Sequence, residues 1–162
     1  MSRLDSFIRR MEAQRSCLNH AATLIAAMPG PVFELGLGNG RTYDHLREIF
    51  PDRDIIVFDK KVSAHPSCIP PDEMLYLGEI HDTLPQAVER FKNQVPLVHS
   101  DMGSGDVEAN RVLAAFIASK LPIALCSGGL LLSDQRMPLA NAEALPLPDD
   151  VPAERYFMLR VA

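Results

Sequence analysis

The chain has 162 residues, 47% of them hydrophobic and 23% charged, with a formal net charge of −5 and three cysteines. That length suits one domain with a real core. The acidic balance offers no general attraction to phosphate backbones or anionic lipid, which argues against nucleic acid and membrane as partners. No stretch approaches the roughly 18 uncharged apolar residues of a membrane span, and Met1-Ser-Arg-Leu-Asp5 lacks the apolar run of a signal peptide. Cys17, Cys68 and Cys126 are odd in number and scattered, so they form neither a disulfide framework nor a zinc pattern. The expectation is a reduced, cytoplasmic protein.

Along the chain, residues 2–28 read as helix, in one piece or two. Leu4, Phe7, Ile8, Met11, Leu18, Ala22 and Ile25 fall largely on one face, and Pro29-Gly30-Pro31 stops it. A strand at 31–36 runs into glycines at 36, 38 and 40, followed by a helix over 42–50. The continuous apolar run of 54–59 predicts a strand buried on both faces. Residues 60–73, with Pro66, Pro70 and Pro71, are loop. A third strand follows at 74–77, a helix at 84–91 and a fourth strand at 95–99. Asp106 is placed to cap a helix running to about Ala118. Pro122 opens a short turn before Gly128-Gly129, and 130–134 is a fifth strand. The tail carries Pro138, Pro146, Pro148 and Pro152 and ends in one strand at 156–161. Strand and helix alternate, which demands a doubly wound α/β fold with a mostly parallel sheet and right-handed crossovers. The expected organisation is a single domain over 1–162, an N-terminal helical segment (1–29) preceding an α/β core (30–162).

In open α/β sheets, ligands bind beyond the carboxyl ends of the strands. The first such end carries Glu34-Leu-Gly-Leu-Gly-Asn-Gly40. Three alternating glycines let backbone approach a ligand that side chains would displace. A pyrophosphate has no use for a carboxylate beside that turn, whereas an ammonium and a sulfonium do. Asp59 ends the second strand, where an acid can accept both hydroxyls of a ribose. Gly78-Glu79-Ile80 ends the third and Ser100-Asp101-Met102-Gly103 the fourth.

The spacing acid-x-Gly-x-Gly-x-Gly, with Asp59 and the double glycine 128–129, resembles class I S-adenosylmethionine (SAM)-dependent methyltransferases. Within them it is similar to a small bacterial-type group known simply as SAM methyltransferases. The resemblance covers about residues 30 to 135 and implies a Rossmann-like fold with SAM as cofactor. It implies a cofactor site of Glu34, Gly36, Leu37, Gly38, Gly40, Arg41, Thr42, Asp59, Lys60, Gly78, Glu79, Ile80, Asp101 and Met102. Glu34 would meet the methionine moiety, Asp59 the ribose, Glu79 and Ile80 the adenine, and Asp101 would stand beside the methyl group. Asp101 and Asp134 are the candidate catalytic residues.

SAM is already activated, so the protein chiefly aligns nucleophile and methyl and excludes water. His99, inside an apolar strand, reads as a satisfied core residue and His81 as a wall of the adenine loop. Asp101, Asp134 and Gln135 form a candidate divalent-cation site that resembles catechol-type O-methyltransferases, although those carry asparagine where Gln135 stands. No metal is otherwise expected. His99-Ser-Asp-Met102 replaces the Asn/Asp-Pro-Pro-Tyr of methyltransferases that grip a planar amide or adenine. No lid-sized insertion is present, and the 28 residues after Asp134 leave one terminal strand where the family has an antiparallel pair. The expected acceptor is a small molecule. An open sheet edge and the apolar N-terminal helix together predict a homo-oligomer, dimer or tetramer. Two other readings stay open: a non-catalytic SAM- or nucleotide-binding regulatory module, and a NAD-dependent oxidoreductase. The second would require Gly-x-Gly-x-x-Gly, whereas Gly40 arrives one residue early.

Overall fold

The computed structural model describes residues 2–162. Helix α1 (Arg3–Leu24) leads into strand β1 (Val32–Leu35), helix α2 (Arg41–Ile49) and strand β2 (Ile55–Asp59). Strand β3 (Leu75–Leu77), helix α3 (Ile80–Arg90), strand β4 (Val95–Ser100) and helix α4 (Val107–Ala124) follow. Strands β5 (Leu125–Ser133), β6 (Ala142–Ala144) and β7 (Phe157–Val161) complete one seven-stranded sheet, ordered β3-β2-β1-β4-β5-β7-β6. The first five are parallel and β7 runs antiparallel to β5 and β6.

The central strands bury both faces, and alternation sorts their side chains into two cores. Val32, Ile55, Val57, Leu97, Leu130 and Leu132 pack under α1 and α2 with Cys17, Leu18, Ile25 and Leu46. Phe33, Leu35, Ile56, Phe58, Val98 and Leu131 pack under α3 and α4 with Leu84, Val88, Ile117 and Leu121. This Rossmann-like, doubly wound arrangement is the one expected.

Several boundaries differ from the sequence reading, each for a local reason. α1 is one helix, opened by a capping box between Ser2 and Asp5, and it ends at Leu24. α3 starts at Ile80 and not Leu84, because Ile80, Thr83, Leu84, Ala87 and Val88 form one buried stripe that carries the helix through Pro85. α4 continues six residues past Ala118 and through Pro122, since Leu121 and Ala124 extend the buried face of Ile117. Asp106 caps it as expected, accepting from the Ala109 N–H at 3.0 Å. β5 therefore begins at Leu125, and Gly128-Gly129 is a bulge within the strand, where the register against β4 shifts between Val95 and Leu97. A Cβ on Gly129 would sit 2.8 Å from the Cys126 carbonyl oxygen, which is the close approach a bulge glycine permits. The tail also forms more than one strand: β6 pairs with β7 at the outer edge. Two short 3-10 turns, Pro66–Cys68 and Asp72–Met74, punctuate the loop before β3.

Candidate active site

At the carboxyl end of the parallel strands lies a cleft of roughly 440 Å³, lined by Gly36, Gly38, Asp59, Lys60, Glu79, Ile80, His81, Asp101 and Met102 among others, within the range of small-molecule sites. The three glycines of its turn have different reasons. A Cβ on Gly36 would lie 2.9 Å from the Asp101 carbonyl oxygen, and one on Gly40 would lie 2.5 Å from Cys68 Cβ. Those two positions are closed by the protein itself. Gly38, at φ +52°, has no heavy atom within 4 Å of the site its Cβ would take. It alone leaves open backbone for a ligand. Asp59 braces the turn: its Oδ2 accepts the N–H groups of Leu37 and Gly38 at 3.0 Å each, and its Oδ1 that of Lys61 at 3.2 Å. Across the cleft, Glu79 is the N-cap residue of α3, so the helix's free N–H groups point toward the cleft side. The His81 ring packs on Phe116 at 4.2 Å between centroids.

Glu34 does not reach this cleft. It is fully buried, and its register partner across β1 and β4 is His99. Nδ1 of His99 lies 2.5 Å from Glu34 Oε2. The other ring nitrogen meets the Tyr156 hydroxyl and lies 3.1 Å from the Gln14 amide nitrogen. Burial lowers the proton affinity of the ring, but the Glu34 carboxylate more than offsets it and holds His99 above its ordinary pKa. Burial likewise raises Glu34 against the opposing pull of His99. Tyr156, buried beside Asp101 and Glu34, stays a neutral phenol. Glu34 Oε1 has no hydrogen-bond partner. The expected contact of Glu34 with a methionine ammonium is thus corrected: its charge is spent on His99, because the even-numbered residues of β1 face the core under α1.

His99 joins this buried cluster to the far end of the cleft. Asp101 Oδ1 accepts from Arg10 Nη1 of α1 at 3.0 Å, and Oδ2 from Gln14 Nε2 at 3.5 Å. Asp134, just beyond β5, stands beside Asp101. Burial first, then the charge of Asp101, lifts its pKa from 3.8 to about 6. Asp134 and Gln135 line a narrow crevice with Ser100, Met102, Asn110, Leu113 and Met137. Met102, Asn110 and Leu113 also line the main cleft, so the two share a wall. The Gln135 amide and an Asp134 oxygen close around Gly103.

Of the sequence-derived residues, Gly36, Gly38, Asp59, Lys60, Gly78, Glu79, Ile80, Asp101 and Met102 border one cleft. Leu37 is buried and contributes its backbone N–H. Arg41 and Thr42 only begin α2, and Gly40 packs under Cys68. Among the described residues, no group of three His, Cys, Asp or Glu side chains is arranged to hold a metal. Arg10, Gln14 and Tyr156 were missed. Gln14 carried a signal: it is a polar residue on the same helical stripe as Met11 and Leu18, and it is 95% buried (5% exposed).

The S-adenosyl-L-methionine methyltransferase family model matches residues 1–161. An S-adenosyl-L-methionine methyl transferase from Silicibacter pomeroyi DSS-3 is 46% identical, covering 100% of this chain and 99% of its own, with a TM-score of 0.94. Two remoter structures share the fold. CmcI, described as a Mg-SAM form, is 16% identical over 90% of this chain and 70% of its own at a TM-score of 0.55. The aminoglycoside resistance methyltransferase NpmB1 is 14% identical over 91% and 93% at 0.56. No curated protein matches. The open Gly38 cradle, the carboxylate of Asp59 and the size of the cleft fit SAM, and neither a nicotinamide enzyme nor a module without activity accounts for the match. The chain belongs to the S-adenosyl-L-methionine methyltransferase family, and is a SAM-dependent enzyme.

Proposed function

We propose that the protein methylates a small-molecule acceptor at the Asp101–Asp134 end of the cleft. The observation that carries this reading is the pairing of an open glycine turn at one end with two adjacent carboxylates at the other. Asp59 receives a ribose hydroxyl on its remaining lone pair, Gly38 gives close backbone approach, and Glu79 and Ile80 border the adenine. When bound, SAM supplies an activated methyl group. The chain's own residues orient the acceptor, exclude water and take its proton. Asp134, with its raised proton affinity, is the base, and Asp101 holds the acceptor in line. Glu34 acts at one remove, fixing His99 beneath Asp101.

The narrow crevice at Asp134 favours a small acceptor over a macromolecule. The test is production of S-adenosylhomocysteine (SAH) from SAM in the presence of a fractionated small-metabolite pool. Turnover that depends on one fraction and falls in Asp134→Asn supports the reading. SAM binding by calorimetry without turnover in any fraction would sink it.

The oligomer retains one of its two arguments. β6 covers the outer edge beside β7, so an open terminal edge no longer calls for a partner. Leu4 (66% exposed) and Ile8 (44%) remain bare on α1, and we assign that face to a second copy of the chain.

A further inference from the structure

α1 is two unequal halves. Its second half buries Ala13, Gln14, Cys17, Leu18 and Ala21, whereas no described residue before Ala13 is buried. The first half is tied to the body by Arg10 on Asp101 and by Arg155, whose Nη2 donates to the Ser6 carbonyl at 2.5 Å. The Arg10 side chain is 37% exposed. A cation from a weakly packed arm therefore already occupies the carboxylate that stands at the proposed methyl-transfer position.

We propose that Arg10 stands in for the substrate: the acceptor is an amine whose ammonium replaces the Arg10 guanidinium on Asp101 as that side chain swings off the carboxylate. This rests on the methyl-transfer site proposed above. An anionic acceptor would meet both Asp101 and Asp134, against an Arg10 that is already engaged. A neutral alcohol would leave Asp101 without its cation once Arg10 moved. An ammonium restores that pairing. The missing Asn/Asp-Pro-Pro-Tyr motif bears on planar amides and bases, not on an sp³ amine. In the step, the ammonium passes one proton to the Asp134 carboxylate. The freed nitrogen lone pair forms the N–C bond as the C–S bond breaks, and the C–S pair stays on sulfur. The products are a methylated ammonium and SAH, and Asp134 returns its proton to water.

The chain contains no tryptophan, and the Phe7 ring lies 6.0 Å from the Arg10 guanidinium. Phe7→Trp thus makes a single reporter of the arm. SAH-saturated Phe7→Trp protein is titrated with benzylamine, n-butylamine, benzyl alcohol and benzoate. A saturable emission change is expected with the two amines alone. By calorimetry, Arg10→Gln should bind benzylamine about two- to fivefold more tightly, the worth of a half-exposed ion pair that no longer competes. Saturation by benzoate that is lost in Arg10→Gln would overturn the proposal and make Arg10 an anion anchor. A silent amine titration, or weaker amine binding in Arg10→Gln, would overturn it as well. SAH affinity is measured first: its absence defeats the underlying site, while intact SAH binding with no amine response defeats only the amine.

Discussion

Asp59 both shapes the glycine turn and offers the one lone pair left on its Oδ1 to a ligand. Replacing it with alanine removes the brace on Leu37 and Gly38 together with a charge-assisted hydrogen bond to a ribose hydroxyl. A loss of about 1.5–3 kcal/mol in SAM affinity is expected by calorimetry; a loss under about threefold would place the nucleoside elsewhere. Gly38→Val should abolish SAM binding while the circular dichroism melt survives, because a β-branched side chain is strained at φ +52° and fills the cradle. Asp134 makes a pH prediction. Its carboxyl titrates at about 6 in the folded protein against an ordinary 3.8, so between those values the native state holds a proton that the unfolded chain has released. Stability from this group is complete below pH 4 and is lost as pH rises through 6. Asp134→Asn lacks that loss. Its unfolding free energy should match the parent's near pH 4 and exceed it at pH 7.5 by about 1 kcal/mol, read from urea melts. Parent turnover should climb across pH 6 as the base becomes free.

At the scale of elements, the buried Glu34–His99 pair fastens β1 to β4 and, through Gln14 and Tyr156, fastens both to α1 and the tail. His99→Leu strands the Glu34 carboxylate in the core. A cost of about 3–5 kcal/mol in urea unfolding is expected, and Glu34→Gln/His99→Leu together should recover part of it. Strand β2 was legible as an unbroken apolar run closed by Asp59, and β1 and β4 as mainly apolar runs that break at a glycine turn and at Ser100-Asp101. Glycine and proline misled elsewhere. Pro122 falls in the last turn of α4, where the buried spacing of Ile117, Leu121 and Ala124 overrides one lost hydrogen bond. Gly128-Gly129 read as a turn, and is a bulge. β6, three residues long and half exposed, has no pattern that would reveal it. The role of Glu34 was misread for a related reason: its register opposite His99 depends on strand pairing, which spacing within one segment does not contain.

For the molecule as a whole, the site gathers at one sheet end from four strand termini, while two roomier grooves of about 660 and 860 Å³ lie at the opposite end. Size alone would point to the opposite end; the carboxylates and the open glycine favour the smaller cleft. No helix among the described residues is long and apolar enough to cross a membrane. The assembly prediction belongs here. Light scattering at micromolar concentration should return a multiple of 17.9 kDa, and removal of residues 2–12 should shift it toward the monomer without unfolding the core, since burial in α1 starts at Ala13. A monomer in the full-length protein would end the idea.

The clasp between α1 and the tail has a kinetic side. Ser16 donates to Asp150 and Arg155 to Ser6 across sequence separations of 134 and 149 residues, and Tyr156 reaches His99 from the last strand's threshold. Contacts that distant form only after nearly the whole chain has been brought together, and folds rich in them form slowly. The local α2, α3 and α4 units have no such wait. The glycine turn and Asp59, carried by β1 and β2, depend on none of those contacts, so that end of the cleft is expected to organise before the Asp101 end that Arg10 and Gln14 of α1 hold.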